Sequence, residues 1–258
     1  MKLNEGKCKL FVPGIISEHF WVKVGDVQIW ETPYDLLLGL GIDKKLNFSK
    51  HLEKICKKAS GKVSALARMV KIIPFQKKRI LMKTFIESQF NNCPLIWMFC
   101  TAKMNRRINH IHERALRIVY DNYTSTFTEL LEIDESVTIH HRNIQKVAIE
   151  MFKVKNNINH QFVQDIFQVN NANHNTRSNA YFSRPNVNSV LKGELSLRSF
   201  GPIVWNDMLP NDLKNSTNLK IFKENIKNGF LIIALVSYVK FTFMDWGMWI
   251  SKKFVLQQ

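Results

Sequence analysis

The chemistry that this sequence offers is, first of all, the binding of anions by lysine and arginine. Eighteen Lys and Arg but only three acidic residues lie between Lys44 and Arg117, and this segment holds nearly all of the chain's net charge of +16. Such a density of positive charge attracts phosphate backbones, and the attraction weakens as salt rises. The sequence therefore predicts a polyanion as partner.

Histidine and cysteine patterns for catalysis or metal binding are weak. The groupings are His51 near Cys56, His110 with His112, and the adjacent pair His140 and His141. None has the spacing of a zinc hydrolase or of a two-histidine, one-carboxylate site, and neither a nucleophile elbow nor a phosphate loop occurs. We expect no metal, no cofactor and no small-molecule substrate.

The cysteines indicate a reducing environment. Cys93 and Cys100 are interpreted as core residues, and the four cysteines of the chain, which include Cys8 and Cys56, match neither a CxxC pair nor a disulfide framework. No cleavable signal sequence opens the chain. We expect an intracellular location, in the nucleus or the cytoplasm.

Three consecutive helices are predicted to carry the bases. Apolar residues recur at helical spacing from Ser49, the expected N-cap, to Ile73; Pro74 then separates this helix from a second, residues 75–90. A third helix, residues 103–120, places apolar and basic residues on neighbouring faces. Basic faces also keep helices soluble, but soluble faces usually interleave acids with bases, and here bases outnumber acids six to one. We therefore interpret selected bases as phosphate contacts: Lys50, Lys54, Lys57, Lys58, Arg106, Arg107, Arg114 and Arg117.

The flanking regions have other patterns. Alternation around Gly25 and Asp26 predicts a hairpin over residues 21–30, and residues 36–42 read as a strand whose two glycines, Gly39 and Gly41, allow a close approach to the backbone. Beyond Tyr120 there are 15 bases and 12 acids, which suggests a domain boundary near Asp121. This region is predicted to hold a capping box at residues 126–129, helices over 144–158 and from a Ser216 cap to 226, and a loop over 170–188.

Several motifs resemble one family in order along the chain. Residues 2–8 and 37–48, followed by His51 and Ile55, resemble the end of the reverse transcriptase domain of non-LTR (LINE-type, jockey-like) retrotransposons. Downstream segments are similar to the C-terminal part of the same family: residues 114–117, 143–155, 175–178, 201–206, 209–210 and 213–214. The resemblance covers residues 2–228.

The resemblance implies an α+β fold that is predominantly α-helical: a small β-rich palm remnant (1–48), a helical thumb (49–120) and a helical and loop C-terminal domain (121–228). It makes Lys7 a candidate proton donor to pyrophosphate, places Leu38 and Gly39 in the primer grip, and lets the thumb hold a template–primer duplex by its phosphates. The family binds Mg²⁺ through palm carboxylates that include an Asp-Asp pair. This chain has no such pair.

These observations predict an RNA or RNA–DNA binding fragment of an RNA-directed DNA polymerase that is inactive alone, Met1 reflecting a truncated copy or an internal start. Alternatives are a protein-interaction or membrane-associated remnant, or a transposon relic without function. Residues 229–258 form an apolar tail that Lys240 and Asp245 interrupt, so insertion into a membrane is marginal and read-through into non-coding sequence is the preferred interpretation.

Overall fold

The structure is a computed structural model that describes residues 4–14, 20–170, 180–188, 193–194 and 196–227. Predictions about residues 2–3, residues 175–178 and the apolar tail 229–258 lie outside the described residues. The chain divides into two compact units, residues 1–136 and 137–258. Helices dominate, with two small antiparallel sheets, so the predicted α+β, mostly helical class is confirmed.

Unit 1 begins with a 3-10 turn, Glu5–Lys7, and two hairpins. Strands β1 (Trp21–Val24) and β2 (Val27–Trp30) form the first hairpin, as the alternation predicts, with Gly25 at φ 59° in its turn. Strands β3 (Tyr34–Leu37) and β4 (Leu40–Asp43) form the second.

The prediction of one strand over residues 36–42 is wrong. The chain reverses at Leu38 and Gly39, which both adopt positive φ, 49° and 84°. Two consecutive residues with positive φ form a two-residue hairpin turn whose twist matches that of the flanking strands. Leucine is not a residue that marks this turn, because its side chain disfavours the left-handed region, so the sequence pattern missed the reversal.

The helices of unit 1 follow the predicted order. Their bounds are α1 Ser49–Met69, α2 Phe75–Leu81, α3 Pro94–Trp97, α4 Ala102–Tyr120 and α5 Phe127–Ile133. A π turn, Met82–Ile86, and a 3-10 turn, Glu87–Phe90, continue α2 through the predicted range 75–90. The capping box of α5, Thr126 with Glu129, is confirmed.

The start of α1 differs from the prediction. Phe48, at φ 56°, occupies the N-cap position, and Ser49 is the first helical residue. The carboxylate of Asp43 accepts the backbone N–H groups of Lys45, Asn47 and Phe48, and the Asn47 side chain accepts that of Ser49 at 2.9 Å. Donors before and at the helix start are therefore satisfied from the end of β4, and no serine cap is needed.

Helices α1 and α4 pack against each other, and α5 packs on α4. Their buried stripes form the core of unit 1: Leu52, Ile55, Ala59, Val63 and Leu66 from α1, and Ile108, Ile111, Ala115 and Ile118 from α4. Strand β4 joins this core at the start of α1, where the backbone N–H of Gly41 donates to His51 Nδ1 at 3.1 Å.

The predicted boundary at residues 120 and 121 lies inside unit 1. Asp134, directly after α5, is fully buried and accepts hydrogen bonds from Arg79 Nε and from the Tyr120 hydroxyl, both at 2.7 Å. These bonds join the end of α5 to α2 and α4. The change in charge balance at Asp121 therefore does not coincide with the observed division.

Unit 2 is built around α6 (Ile139–Lys155). The other helices are α7 Gln161–Gln164, α8 Leu197–Ile203, which continues into a π turn Val204–Met208, α9 Asn211–Lys214 and α10 Leu219–Lys227. Helix α6 packs on α8 and α10, and the rings of Phe152 and Phe222 stack at 4.3 Å. Asn218, whose side chain accepts the N–H of Ile221, caps α10 in place of the predicted Ser216.

Candidate nucleic-acid interface

Four lysines of α1 lie on the side of the helix opposite its buried stripe. Lys50, Lys54, Lys57 and Lys58 are all exposed, as the helical spacing predicts. None of them forms an ion pair with a residue that the structure describes. Lys50 lies over the ring of Tyr34, 5.5 Å from its centroid, which orients its ammonium group without neutralising it. We call these four residues the lysine face.

The lysine face continues into a bare stretch of α1. Gly61 is exposed, and a Cβ added there would meet nothing within 4 Å. A glycine inside a helix costs about 1 kcal/mol relative to alanine, and packing within the described chain gives no reason for it. Because Gly61 has no side chain and Ser64 and Ala65 follow one turn later, a large partner can approach the helix backbone here, next to Lys57 and Lys58.

Helix α4 carries a second basic face. Thr101 caps the helix, and Arg106, Arg107 and Arg114 are exposed on the side away from the core. Arg117 is half-buried and donates to Glu113 Oε1 from Nη2 at 2.6 Å and from Nε at 3.2 Å. Three of the four predicted contacts on α4 therefore remain available to a ligand, and Arg117 is partly neutralised.

The two basic faces lie on helices that pack against each other. Since α1 and α4 pack through their buried stripes, their opposite faces point away from the common core. Burial raises the pKa of the Cys56 thiol in α1. The charge of Arg107 in α4 lowers this pKa, and the charge of Glu53 raises it. The charge of Arg107 in α4 therefore acts on the buried side of α1, where Cys56 lies.

Other bases in the cationic segment are used internally. Arg79 donates from Nε to the Asp134 carboxylate and from Nη2 to its carbonyl oxygen, and Lys83 lies 4.0 Å from the same carboxylate. Lys44 pairs with Glu31, whose side chain is buried. Counting bases along the sequence overstated the charge available to a partner, because Glu31 and Asp134 both lie outside the segment counted.

The predicted primer-grip residues lie at the tip of the second hairpin. Leu38 is 92% exposed. Gly39 is required by its positive φ, and a Cβ on Gly41 would lie 2.2 Å from the hydroxyl oxygen of Tyr34. The close approach that the glycines indicated is thus made at Gly41 by a neighbouring strand of the chain itself.

Lys7, the proton-donor candidate, ends the 3-10 turn with an exposed side chain, and its backbone N–H donates to the Asn4 carbonyl at 3.0 Å. The structure brings no described carboxylate to it. Among the described residues no group of three or more His, Cys, Asp and Glu side chains is placed to hold a metal ion.

The histidines noticed in the sequence are mostly structural. His51 is buried, and burial, followed by the charge of Lys54, lowers its pKa. His112 is buried 3.2 Å from Glu87, with its ring against the edge of Phe127. In unit 2, burial and then the charge of His141 lower the pKa of His140 to about 4. All four cysteines are free thiols, and Cys56 is buried.

Sequence reasoning missed the cluster around Asp134. Burial alone would raise the pKa of this carboxyl, but hydrogen bonds from Tyr120 and Arg79 hold it below its ordinary value. The Arg79 and Asp134 side chains are 55 residues apart in sequence. No local pattern pairs them, so the signal was absent from the sequence.

The downstream motif residues of the resemblance serve packing in unit 2. A Cβ on Gly201 would lie 2.6 Å from Met151 Sδ, so glycine permits the contact of α8 with α6. Trp205 is buried, and Asn206 exchanges hydrogen bonds with the backbone N–H and carbonyl of Phe182. These residues are explained by the fold and mark no site.

Comparison with known proteins identifies no relative: no family model, no curated protein and no solved structure matches the chain. In the stretches of chain that the structure describes, no helix combines the length and apolar character needed to cross a membrane.

Proposed function

We propose that this chain binds a nucleic-acid duplex, RNA or RNA–DNA, as the template–primer binding part of a retrotransposon reverse transcriptase, and that it supplies binding rather than catalysis. The observation that carries the proposal is the lysine face: four exposed lysines on one side of α1 without an acidic partner among the described residues. The resemblance of residues 2–228 to the non-LTR family adds the role in polymerisation.

Electrostatics supports the first half of this proposal. Like charges at helical spacing repel each other, and α1 contains one acid, Glu53, against six bases. Phosphates bound between the lysines relieve this repulsion and release counterions into solution. The face offers ammonium groups, which are point charges suited to phosphate, and no planar side chain that reads base edges. Binding is therefore expected to follow the backbone rather than the sequence of the duplex.

The arrangement of residues along α1 supports a contact with the phosphate backbone of the duplex. The lysines occupy the first three turns, and Gly61 follows one turn later, so a phosphate backbone held by the lysines passes the bare stretch at close range. On the neighbouring helix α4, Arg106, Arg107 and Arg114 are exposed as well. We assign Lys50, Lys54, Lys57 and Lys58 as the main contacts, Arg106, Arg107 and Arg114 as the secondary ones, and Arg117 as a weaker one.

The test is a filter-binding titration of an RNA–DNA duplex between 50 and 200 mM salt. The variant K50Q/K54Q/K57Q/K58Q keeps helix propensity and removes four charges. We expect the slope of log affinity against log salt to fall by about three, at 0.7–0.9 for each lost phosphate contact, with a loss on the order of 100-fold in affinity at 0.1 M salt.

The matched control removes the same charge elsewhere. Arg198, Lys220, Lys223 and Lys227 are exposed in unit 2, and R198Q/K220Q/K223Q/K227Q has the same net charge as the α1 variant. The control is expected to keep most of the wild-type affinity and slope. Equal losses in both variants, or affinity that is flat with salt in the wild type, would show that the lysine face is not the binding site.

A further inference from the structure

The first hairpin presents two faces of different chemistry. Side chains alternate across a strand, and the register pairs Trp21 with Trp30 and Lys23 with Gln28. These four side chains share one face, which we call the aromatic face. The aliphatic side chains of β1 and β2 lie on the other: Val22, Val24, Val27 and Ile29.

The two tryptophan rings of the aromatic face are open to solvent. Their centroids are 6.5 Å apart at an interplanar angle of 49°, and the residues are 52% and 55% exposed. A cross-strand aromatic pair adds at most about 1 kcal/mol to a hairpin, and a β-branched partner serves as well without exposing two large rings. Hairpin stability therefore does not explain both tryptophans.

The base of the hairpin is firmly held. Phe20 and Glu31 extend the ladder by one rung: the Glu31 N–H donates to the Phe20 carbonyl at 2.9 Å, and the Phe20 N–H donates to the Glu31 carboxylate. Glu31 also pairs with Lys44, and the Thr32 N–H donates to the Leu10 carbonyl at 2.9 Å. The backbone that carries both rings is thus held in place, so a ligand that stacks on the rings orders little of the hairpin backbone on binding.

We propose that the aromatic face binds unpaired bases of a single-stranded nucleic acid by stacking on Trp21 and Trp30, while Lys23 contacts the adjacent phosphate. The proposal rests on the proposed function and extends it from duplex to single strand. Stacking accepts every base, because each presents a flat π surface, and needs only an accessible ring and a nearby cation.

The composition of the face favours nucleic acid over protein. Between the rings and the turn, this face carries Lys23 and Gln28. Lys23 is a cation without an ion pair to any described residue, and Gln28 is a hydrogen-bond donor and acceptor. Of the hairpin's two acids, Asp26 lies in the turn and Glu31 pairs with Lys44, so neither lies on this face. A protein partner that buries apolar surface would be served by the aliphatic face instead.

The test compares three fluorescently labelled ligands with the full chain: a blunt RNA–DNA duplex, the same duplex with a ten-nucleotide single-stranded extension, and the extension alone. W21L/W30L removes the rings, W21Y/W30Y keeps aromatic surface, and V22S/V27S alters the opposite face. Alanine-scan values for base stacking correspond to about 5-fold to 100-fold per ring. We expect W21L/W30L to weaken binding of the extension and the extended duplex at least tenfold, with blunt-duplex affinity unchanged.

The variants separate the possible outcomes. Near-wild-type binding by W21Y/W30Y, with V22S/V27S also unaffected, supports stacking, and circular dichroism verifies that all variants are folded. If the wild type binds the blunt duplex and the extension adds no affinity, this proposal is overturned while the proposed function stands. If no ligand binds, both fail. If W21L/W30L changes only self-association in sedimentation analysis, the face docks a second copy of the chain and the proposal is equally overturned.

Discussion

Helices α1 and α6 occupy corresponding central positions in the two units, yet they use their bases in opposite ways. Helix α1 has six bases and one acid, and α6 has four bases and one acid, so their compositions are similar. The four residues of the lysine face on α1 point to solvent, while Lys62 lies over the ring of Phe85. In α6, Lys153 pairs with Glu150 at 2.7 Å, and Lys155 is held inside the unit.

Lys155 illustrates the internal use of charge. Its Nζ lies 5.3 Å from the ring centroid of Trp205 and 5.7 Å from that of Tyr181, and it donates to the carbonyl of Lys214 at 2.9 Å. Burial, followed by the charge of Arg142, lowers the pKa of Lys146 on the same helix. The environment of a basic side chain, and not the number of bases in a helix, therefore distinguishes a candidate phosphate site from a structural cation.

In unit 1, the buried carboxylate of Asp134 pairs with basic side chains inside the unit, unlike the lysine face. Removal of this carboxylate tests how much such internal pairing stabilises the chain. We expect Asp134→Ala to destabilise the chain by about 3 kcal/mol, the lower end for a broken buried pair because Arg79 reaches solvent. Urea unfolding followed by circular dichroism measures this change. Asp134→Asn, which loses the charge but keeps an acceptor for Tyr120, is the control; near-wild-type stability in the asparagine variant would exclude the ion pair as the cause of the loss.

Lowering the pH tests how the buried His140 contributes to the stability of unit 2. The pKa of His140 is about 4 in the folded state and 6.5 in an exposed histidine, so the unfolded chain takes up the proton first. The associated stability is complete above about pH 6.5 and is lost as pH falls toward 4. We expect a loss of about 2 kcal/mol between pH 7.5 and 5, measured by hydrogen exchange in α6. His140→Gln should flatten this dependence, and an unchanged slope in that variant contradicts the assignment.

Two glycines give changes of opposite sign. Gly201→Ala places a methyl group against Met151 and Phe167 and is expected to cost about 2 kcal/mol. Gly61→Ala meets open space within a helix and is expected to add about 1 kcal/mol of stability. Thermal unfolding of the two single variants checks both. A destabilising Gly61→Ala would mean that the bare stretch of α1 is covered in the folded chain.

Two lysines provide the smallest contrast. We expect Lys155→Met to cost about 1 kcal/mol through the lost cation–π contacts and hydrogen bond, with duplex affinity unchanged. Lys57→Met should leave the stability within about 0.5 kcal/mol and weaken duplex binding. Chemical denaturation and filter binding on both variants give the comparison. Weakened binding in Lys155→Met at unchanged stability would erase the distinction between the two helices.

Much of the fold could be predicted because its signals are local. The apolar spacing of α1 and α4, the break at Pro74, the hairpin around Gly25 and the Thr126–Glu129 capping box depend on residues within a few positions of one another. The reversal at Leu38 could not be predicted, since leucine does not signal a positive φ. It is stabilised in part by the second strand that the reversal itself brings alongside.

The candidate site could be predicted only in part, because only some of its features depend on residues that are close in sequence. Helical spacing alone placed the lysine face on the side away from the core. The neutralisation of Arg79 by Asp134, the partial neutralisation of Arg117 and the position of Arg107 beside α1 depend on which side chains the fold brings together.

Sequence patterns therefore predict the longer helices, α1, α4, α6 and α10, the apolar face of each, and the excess of positive charge between Lys44 and Arg117. These properties follow from periodicity and composition along one stretch of chain. Only the tertiary structure decided which bases remain free for a partner, where Glu31 and Asp134 are buried, and that Trp21 and Trp30 share an open face. The physical reason is that electrostatic and packing energies depend on distances in space, which residues far apart in sequence acquire only when the chain folds.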